Sequence, residues 1–242
     1  MIIFRPAIDR RIYSPLLLVG MLFLLHAAIR FGGLNNPLLI PLSMVIIWPL
    51  PWLLSGREGR KTMGFHGVAS AWWFVTGPVL ALAILLLTAL AAWLFFGHGE
   101  SNWLAQHALA LGSSIDSLPA GTSVMQKFWI LTLPAIIFSP LAEEFLFRGY
   151  MQSVFAQWYG VKTAVIIQAS AFAAVHLAHY GLQPFQPDLI LLWLPSMFLA
   201  AIFFGWILLK SKSIWCAVIS HAAYNLGMNG VAFLQFNEQI GL

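Results

Sequence analysis

About seven stretches of roughly twenty mostly apolar residues, near 14–30, 38–54, 70–96, 128–152, 163–180, 189–209 and 214–233, account for most of this 242-residue chain. Runs of that length suit the hydrocarbon core of a bilayer, where no water is present to satisfy exposed N–H and C=O groups. Only helices, or strands closed into a barrel, can then cross. With 60% hydrophobic and 8% charged residues, the runs read as helices rather than as the weakly alternating strands of a barrel. The expected fold is all-α, a polytopic membrane helix bundle with about seven transmembrane helices. The first stretch, after three arginines, also has the form of a signal peptide with Ala27-Ala28 as a weak cleavage site; it is read here as a span.

The formal charge of +4 does not mark a nucleic-acid partner, because the basic residues collect at alternate helix ends. Arg5, Arg10 and Arg11 precede the first span, Arg57, Arg60 and Lys61 follow the second, Lys162 follows the fourth, and Lys210 and Lys212 follow the sixth. All fall on one side, so by the positive-inside rule the N-terminus is expected in the cytoplasm and the C-terminus outside, with Arg30 and Lys127 as exceptions near interfaces. The opposite side holds the 97–126 segment, which carries Glu100 and Asp116 and no Lys or Arg. Its apolar groups around Trp103 and Leu109 suggest an amphipathic connector along the membrane surface, with a cover over a cavity mouth as the alternative. The chain is expected to form one integral-membrane unit, residues 1–127 supplying N-terminal helices and the exported loop, and 128–242 a catalytic helical core. The single cysteine, Cys216, has no internal disulfide partner and reads as an apolar packing residue. Compact size suggests a bacterial inner membrane.

Glu143 and Glu144 interrupt one of the spans. An ionised group near the bilayer centre costs at least a few kcal/mol, so such residues face a protein interior or wet cavity and mark function. Neighbours on a helix point about 100 degrees apart, so the two carboxylates have different tasks. Glu144 and Arg148 are four apart and can pair, leaving Glu143 for another helix. Pro140 upstream removes a backbone hydrogen bond and is expected to kink the helix.

The next span is rich in small residues, from Ala169 to Ala174, which let membrane helices approach closely. It carries His176 one turn after Phe172. His179 is three residues further on, near the helix end, and is read as interfacial. In the last span His221 and Asn225 are one turn apart and can face one cavity.

Together these pieces resemble the CPBP family of membrane-embedded proteases, which includes CAAX prenyl endopeptidases and bacteriocin-processing or immunity proteins. The E-E-x-x-x-R motif reads Glu143 to Arg148, the F-x-x-x-H motif Phe172 to His176, and the H-x-x-x-N motif His221 to Asn225. The resemblance covers roughly the last 110 residues and implies peptide-bond hydrolysis in the membrane on a membrane-associated protein or peptide, with catalytic residues Glu143, Glu144, Arg148, His176, His221 and Asn225. In the favoured form Glu143 activates a water held with His176, and His221 and Asn225 stabilise the oxyanion. A zinc form takes Glu143, His176 and His221 as ligands and leaves Glu144 as the nearby base. The site is expected between the fourth, fifth and seventh spans, open toward the bilayer or the cytoplasmic side. No H-E-x-x-H, G-x-G-D or G-x-S-G string points to another protease type, and Ser220 beside His221 diverges from it on the helix. Two other classes stay open: a non-catalytic immunity or binding protein, and a proton-coupled transporter, against which the lack of an inverted repeat counts.

Overall fold

The computed structural model describes residues 15–36 and 38–240, and Arg5, Arg10 and Arg11 of the topology argument lie outside them. The described chain is helical, with no strands beyond an isolated bridge between Leu182 and Phe185. The helices are α1 (Pro15–Gly32), α2 (Leu39–Ile47), α3 (Leu50–Leu54), α4 (Arg57–Thr62), α5 (Trp73–Phe96), α6 (Trp103–Ser117), α7 (Val124–Glu143), α8 (Gln152–Tyr159), α9 (Val161–His176), α10 (Pro187–Ser211) and α11 (Ile214–Ile240). Between α7 and α8 the chain does not break but widens into a π-helical turn, Glu144–Met151. Among the described residues four helical stretches are long and apolar enough to cross a membrane: α1, α5, the continuous Val124–Tyr159 and α10.

The remaining expected spans are helical but differ for visible reasons. The second divides into α2 and α3 where Pro49 and Pro51, lacking N–H groups, interrupt the hydrogen-bond ladder. The fifth stops at His176, four residues short of expectation, because the indole of Trp193 donates to the His176 carbonyl at 2.8 Å and the chain turns there. The fourth extends at both ends. Its start is fixed by a capping box in which Ser123 and Gln126 satisfy each other's backbone.

The surface connector expected over 97–126 is instead a helix packed into the bundle. Asn102 caps α6 by accepting from the Leu104 N–H at 2.9 Å. Trp103, fully buried, lies against Trp193 at 5.5 Å between ring centroids, while Ala108, Leu111 and Ile115 pack with Phe233 and Phe236 of α11. Burying this stripe removes more apolar area from contact with water or headgroups than a surface position would.

Two close approaches register the core. Gln152 and Gln168 donate to the carbonyls of Gly205 and Ala201, tying α8 and α9 to α10. Gly77 of α5 lies so near Ser220 of α11 that a Cβ there would collide with the hydroxyl. The π turn runs through the middle of this packing, with Glu144 through Met151 all buried against α1, α3, α9, α10 and α11. Large apolar side chains on α5, including Leu87, Leu94 and Phe95, face outward, as on a surface meant for lipid.

Candidate active site

Pro140 supplies no N–H to the turn before it, and within one turn the helix widens, the Gln152 N–H reaching five residues back to the Phe147 carbonyl. π turns concentrate at functional sites, and this one holds the acidic pair and Arg148. Glu144 turns into the protein: its Oε1 lies 3.0 Å from an Arg148 nitrogen and 2.7 Å from His221 Nδ1. All three side chains are almost wholly buried. The Arg148 guanidinium lies over the rings of Phe172 and Phe204, at 4.3 and 5.2 Å from their centroids. Aromatic faces attract a desolvated cation, which lowers the cost of keeping it there.

Glu143 points elsewhere, as adjacent helical positions require. Its Oε1 accepts from Ser139 at 3.2 Å. Its Oε2, buried and without a hydrogen-bond partner, faces His176 Nε2 at 3.7 Å and His221 Nε2 at 3.9 Å. The outer nitrogen of each imidazole is engaged: His176 Nδ1 donates to the Phe172 carbonyl at 2.8 Å, and His221 Nδ1 donates to Glu144. A carbonyl and a carboxylate can only accept, so both Nδ1 atoms carry hydrogen and both Nε2 atoms are turned toward Glu143. The rings are clamped as well. His176 stacks on Phe172 at 4.1 Å and His221 on Phe204 at 4.8 Å. Thus Phe172 serves both the histidine one turn above it and Arg148.

Asn225 lies one turn beyond His221, half-buried, and donates through Nδ2 to the Ala135 carbonyl at 2.9 Å. It lines a cavity of about 510 Å³ together with Ser139, His176 and His221. Glu143 sits just behind that wall. The cavity runs from these groups between α2, α7, α10 and α11 toward His107 and Asn229, away from the end of the bundle formed by α4 and the α10–α11 turn.

Two further groups reach the site that sequence spacing did not single out. Arg30, expected at an interface, is 2% exposed and lies 3.8 Å from Glu143 Oε1. His179, also expected to be interfacial, lines the cavity and takes a hydrogen bond from Arg30 at 2.9 Å through Nε2. A cue existed: His26 and Arg30 are one turn apart on an otherwise apolar span, and both are buried. Along the far wall, His107 bridges the Tyr180 hydroxyl at 2.7 Å and Asn229 Oδ1 at 2.8 Å. Burial lowers the affinity of His107 for a proton, so it bridges as a neutral ring. Ser220 donates to the Cys216 carbonyl and takes no part, and Cys216 is buried.

Among the described residues no three His, Cys, Asp or Glu side chains stand close enough together to enclose a metal ion. The nearest set, Glu143, His176 and His221, has suitable donor types, and each imidazole has its second nitrogen bonded, as zinc-bound histidines do. Its Nε2–Oε2 separations exceed the roughly 3.4 Å edge of a zinc tetrahedron by a few tenths of an ångström.

Comparison with known proteins accords with this geometry. Residues 125–227 match the family model described as Rce1-like, type II CAAX prenyl endopeptidase, a stretch that contains Glu143, Glu144, Arg148, His176, His221 and Asn225 but neither Arg30 nor His107. The match supports recognition of the chain as a CPBP-family intramembrane protease. No curated protein and no solved structure matches it.

Proposed function

We propose that this chain is an integral-membrane endopeptidase that hydrolyses a peptide bond in a membrane-associated protein or peptide, with Glu143 as general base. One observation carries the reading: the unpartnered Oε2 of Glu143 facing two imidazole Nε2 atoms beside a cavity. A water hydrogen-bonded to Glu143 Oε2 and His176 Nε2 is positioned for attack on a carbonyl in the cavity. Glu143 takes one of its protons, the oxygen bonds to the carbonyl carbon, and the negative charge passes to the carbonyl oxygen. The Asn225 amide supplies one donor to that oxyanion. His221 supplies the other through Nε2 in the form that carries a proton on each nitrogen, its Nδ1 donating to Glu144 at 2.7 Å. Such donors contribute a few kcal/mol to the barrier each. The proton on Glu143 then goes to the leaving nitrogen as the C–N bond breaks.

Arg148 is the counter-charge beside the buried Glu144 at 3.0 Å, so both are positioning residues. The zinc form would use Glu143, His176 and His221 as ligands, the metal polarising the carbonyl and acidifying a water. It needs another base, and Glu144 is turned from the cavity onto Arg148 and His221. This argues for the metal-free form. We place the N-terminus in the cytoplasm, the chain in a bacterial plasma membrane, and the catalytic groups in the 128–242 core with the N-terminal helices covering them.

The test compares protein termini by mass spectrometry in cells expressing the native chain or Glu143→Gln at equal levels. Uncut species found only with the variant support proteolysis and identify the substrate. Equal termini with an equal phenotype would move the reading to a non-catalytic immunity protein; equal termini with a lost phenotype, to proton movement in a transporter.

A further inference from the structure

Buried charges at the site balance as two pairs, but the pairs are built differently. Glu144 has Arg148 at 3.0 Å and His221 at 2.7 Å, both at Oε1, while its Oε2 and the Arg148 Nε have no hydrogen-bond partner. Glu143 has no such contact with a cation; its nearest fixed positive charge is Arg30 at 3.8 Å, from a helix outside the matched family segment. Arg30 is itself 2% exposed, has a buried Nε without a hydrogen-bond partner, and is held by His179 rather than by a carboxylate. Arg30 stands at ion-pair distance from Glu143 without a hydrogen bond to it, so that contact supports the fold less than the 3.0 Å contact of Arg148 with Glu144 does. Arg30 does contribute a fixed field across the place where charge moves.

We infer that Arg30 is a positioning residue for the hydrolysis, a fixed cation that keeps the Glu143 carboxylate aimed at the two imidazoles and stays to balance the negative charge once that charge passes to the oxyanion. During attack the proton goes from water to Glu143 and the charge appears a few ångströms away in the same cavity, which Arg30 also lines. A cation already oriented and desolvated needs no rearrangement at that moment, the condition under which electrostatic stabilisation is largest. His179, its ring tilted against that of His176 at 5.2 Å between centroids and bonded to Arg30, fixes the guanidinium relative to the catalytic ring. The inference rests on the protease reading above. It deepens that reading by adding the first helix to the working site.

The experiment uses the full chain in detergent, with Arg30→Gln and Arg30→Lys assayed on a farnesylated CAAX peptide, and both variants combined with Glu143→Gln for thermal stability. The expected results are a fall in kcat of about 100-fold or more for Arg30→Gln with KM within threefold, partial recovery of kcat in Arg30→Lys, and a double variant Arg30→Gln/Glu143→Gln more stable than the sum of its single variants predicts. An unchanged kcat in Arg30→Gln, or a raised KM with kcat intact, would overturn the inference, the latter making Arg30 a substrate-binding group. Should Arg30→Gln fail to fold alone, Arg30→Lys and the double variant still decide. Inactivity of the native chain on the peptide counts against this substrate class, and through Glu143→Gln termini against the protease reading, whereas strict additivity in stability counts against the Arg30–Glu143 coupling alone.

Discussion

Glu143 and Glu144 are adjacent and chemically identical, yet the structure gives them opposite surroundings, so their amides should fail in opposite ways. Glu143→Gln removes the base and is expected to lower kcat by about two to four orders of magnitude, the usual contribution of general base catalysis, with the melting temperature in detergent little changed. Glu144→Gln strips the counter-charge from Arg148, which is fully buried. Breaking a buried pair from one side costs about 3–5 kcal/mol, so loss of folded protein in thermal melts and size-exclusion profiles should precede any kinetic effect. Equal destabilisation by both amides would refute the division of labour. A third outcome concerns the same side chains: because Glu143 is assigned as base and not as ligand, peptide cleavage should persist after dialysis against a strong chelator, and loss restored by zinc would replace the metal-free form. At this scale much was legible. Divergence of adjacent helical positions and the four-residue spacing of Glu144 and Arg148 both follow from helix geometry. The link from His221 to Glu144 did not, since it depends on α11 lying beside the π turn and joins positions 77 apart.

Elements matter through how closely they approach, and the case nearest the site is Gly77 against Ser220, the neighbour of His221. Ser220 cannot retreat freely, because its hydroxyl is bonded to the Cys216 carbonyl at 2.7 Å. Gly77→Ala should therefore push α11 away from α5 by a few tenths of an ångström and carry His221 with it. A loss of roughly tenfold or more in kcat is expected, with helical content by circular dichroism unchanged; misplacement of about an ångström at a catalytic centre costs on the order of 100-fold. Native kcat in Gly77→Ala would show that the site tolerates movement of α11. Small residues were a readable sign of close packing in α9, where the run from Ala169 to Ala174 was noted. The π turn was not readable in the same way: Pro140 announced a disturbance, but whether a helix kinks, stops or widens depends on which neighbours take up the freed backbone groups.

For the whole molecule the sequence conveyed the material and the class of fold, through apolar length and the placement of charge. It did not convey how α1 to α6 pack around the helices from Val124 on, because α6 and α1 reach the cavity through single polar side chains, His107 and Arg30, on otherwise apolar or amphipathic segments. Contacts now order the long axis of the bundle. Descending Val124–Tyr159 from its start, Phe128 meets Phe233, Asn229 meets Thr132, Glu144 meets His221, and Ser153 reaches the Thr62 carbonyl. The stretch before Ser123 and the stretch after Thr62 therefore lie at opposite ends, separated by about 40 Å of helix at 1.5 Å per residue. That separation exceeds the roughly 30 Å hydrocarbon thickness, so each end reaches an aqueous face. Gly67 and Gly121 are exposed at these two ends, and neither has an atom near where a Cβ would stand. Cys216 is buried and gives no background to thiol labelling. With Arg57, Arg60, Lys61, Lys210 and Lys212 at the Gly67 end, the orientation we propose makes Gly121→Cys reactive toward an impermeant maleimide in intact cells, while Gly67→Cys reacts only after permeabilisation. The reverse pattern would invert the molecule in the membrane and place the far wall of the cavity, with His107 and Asn229, on the cytoplasmic side of Glu143.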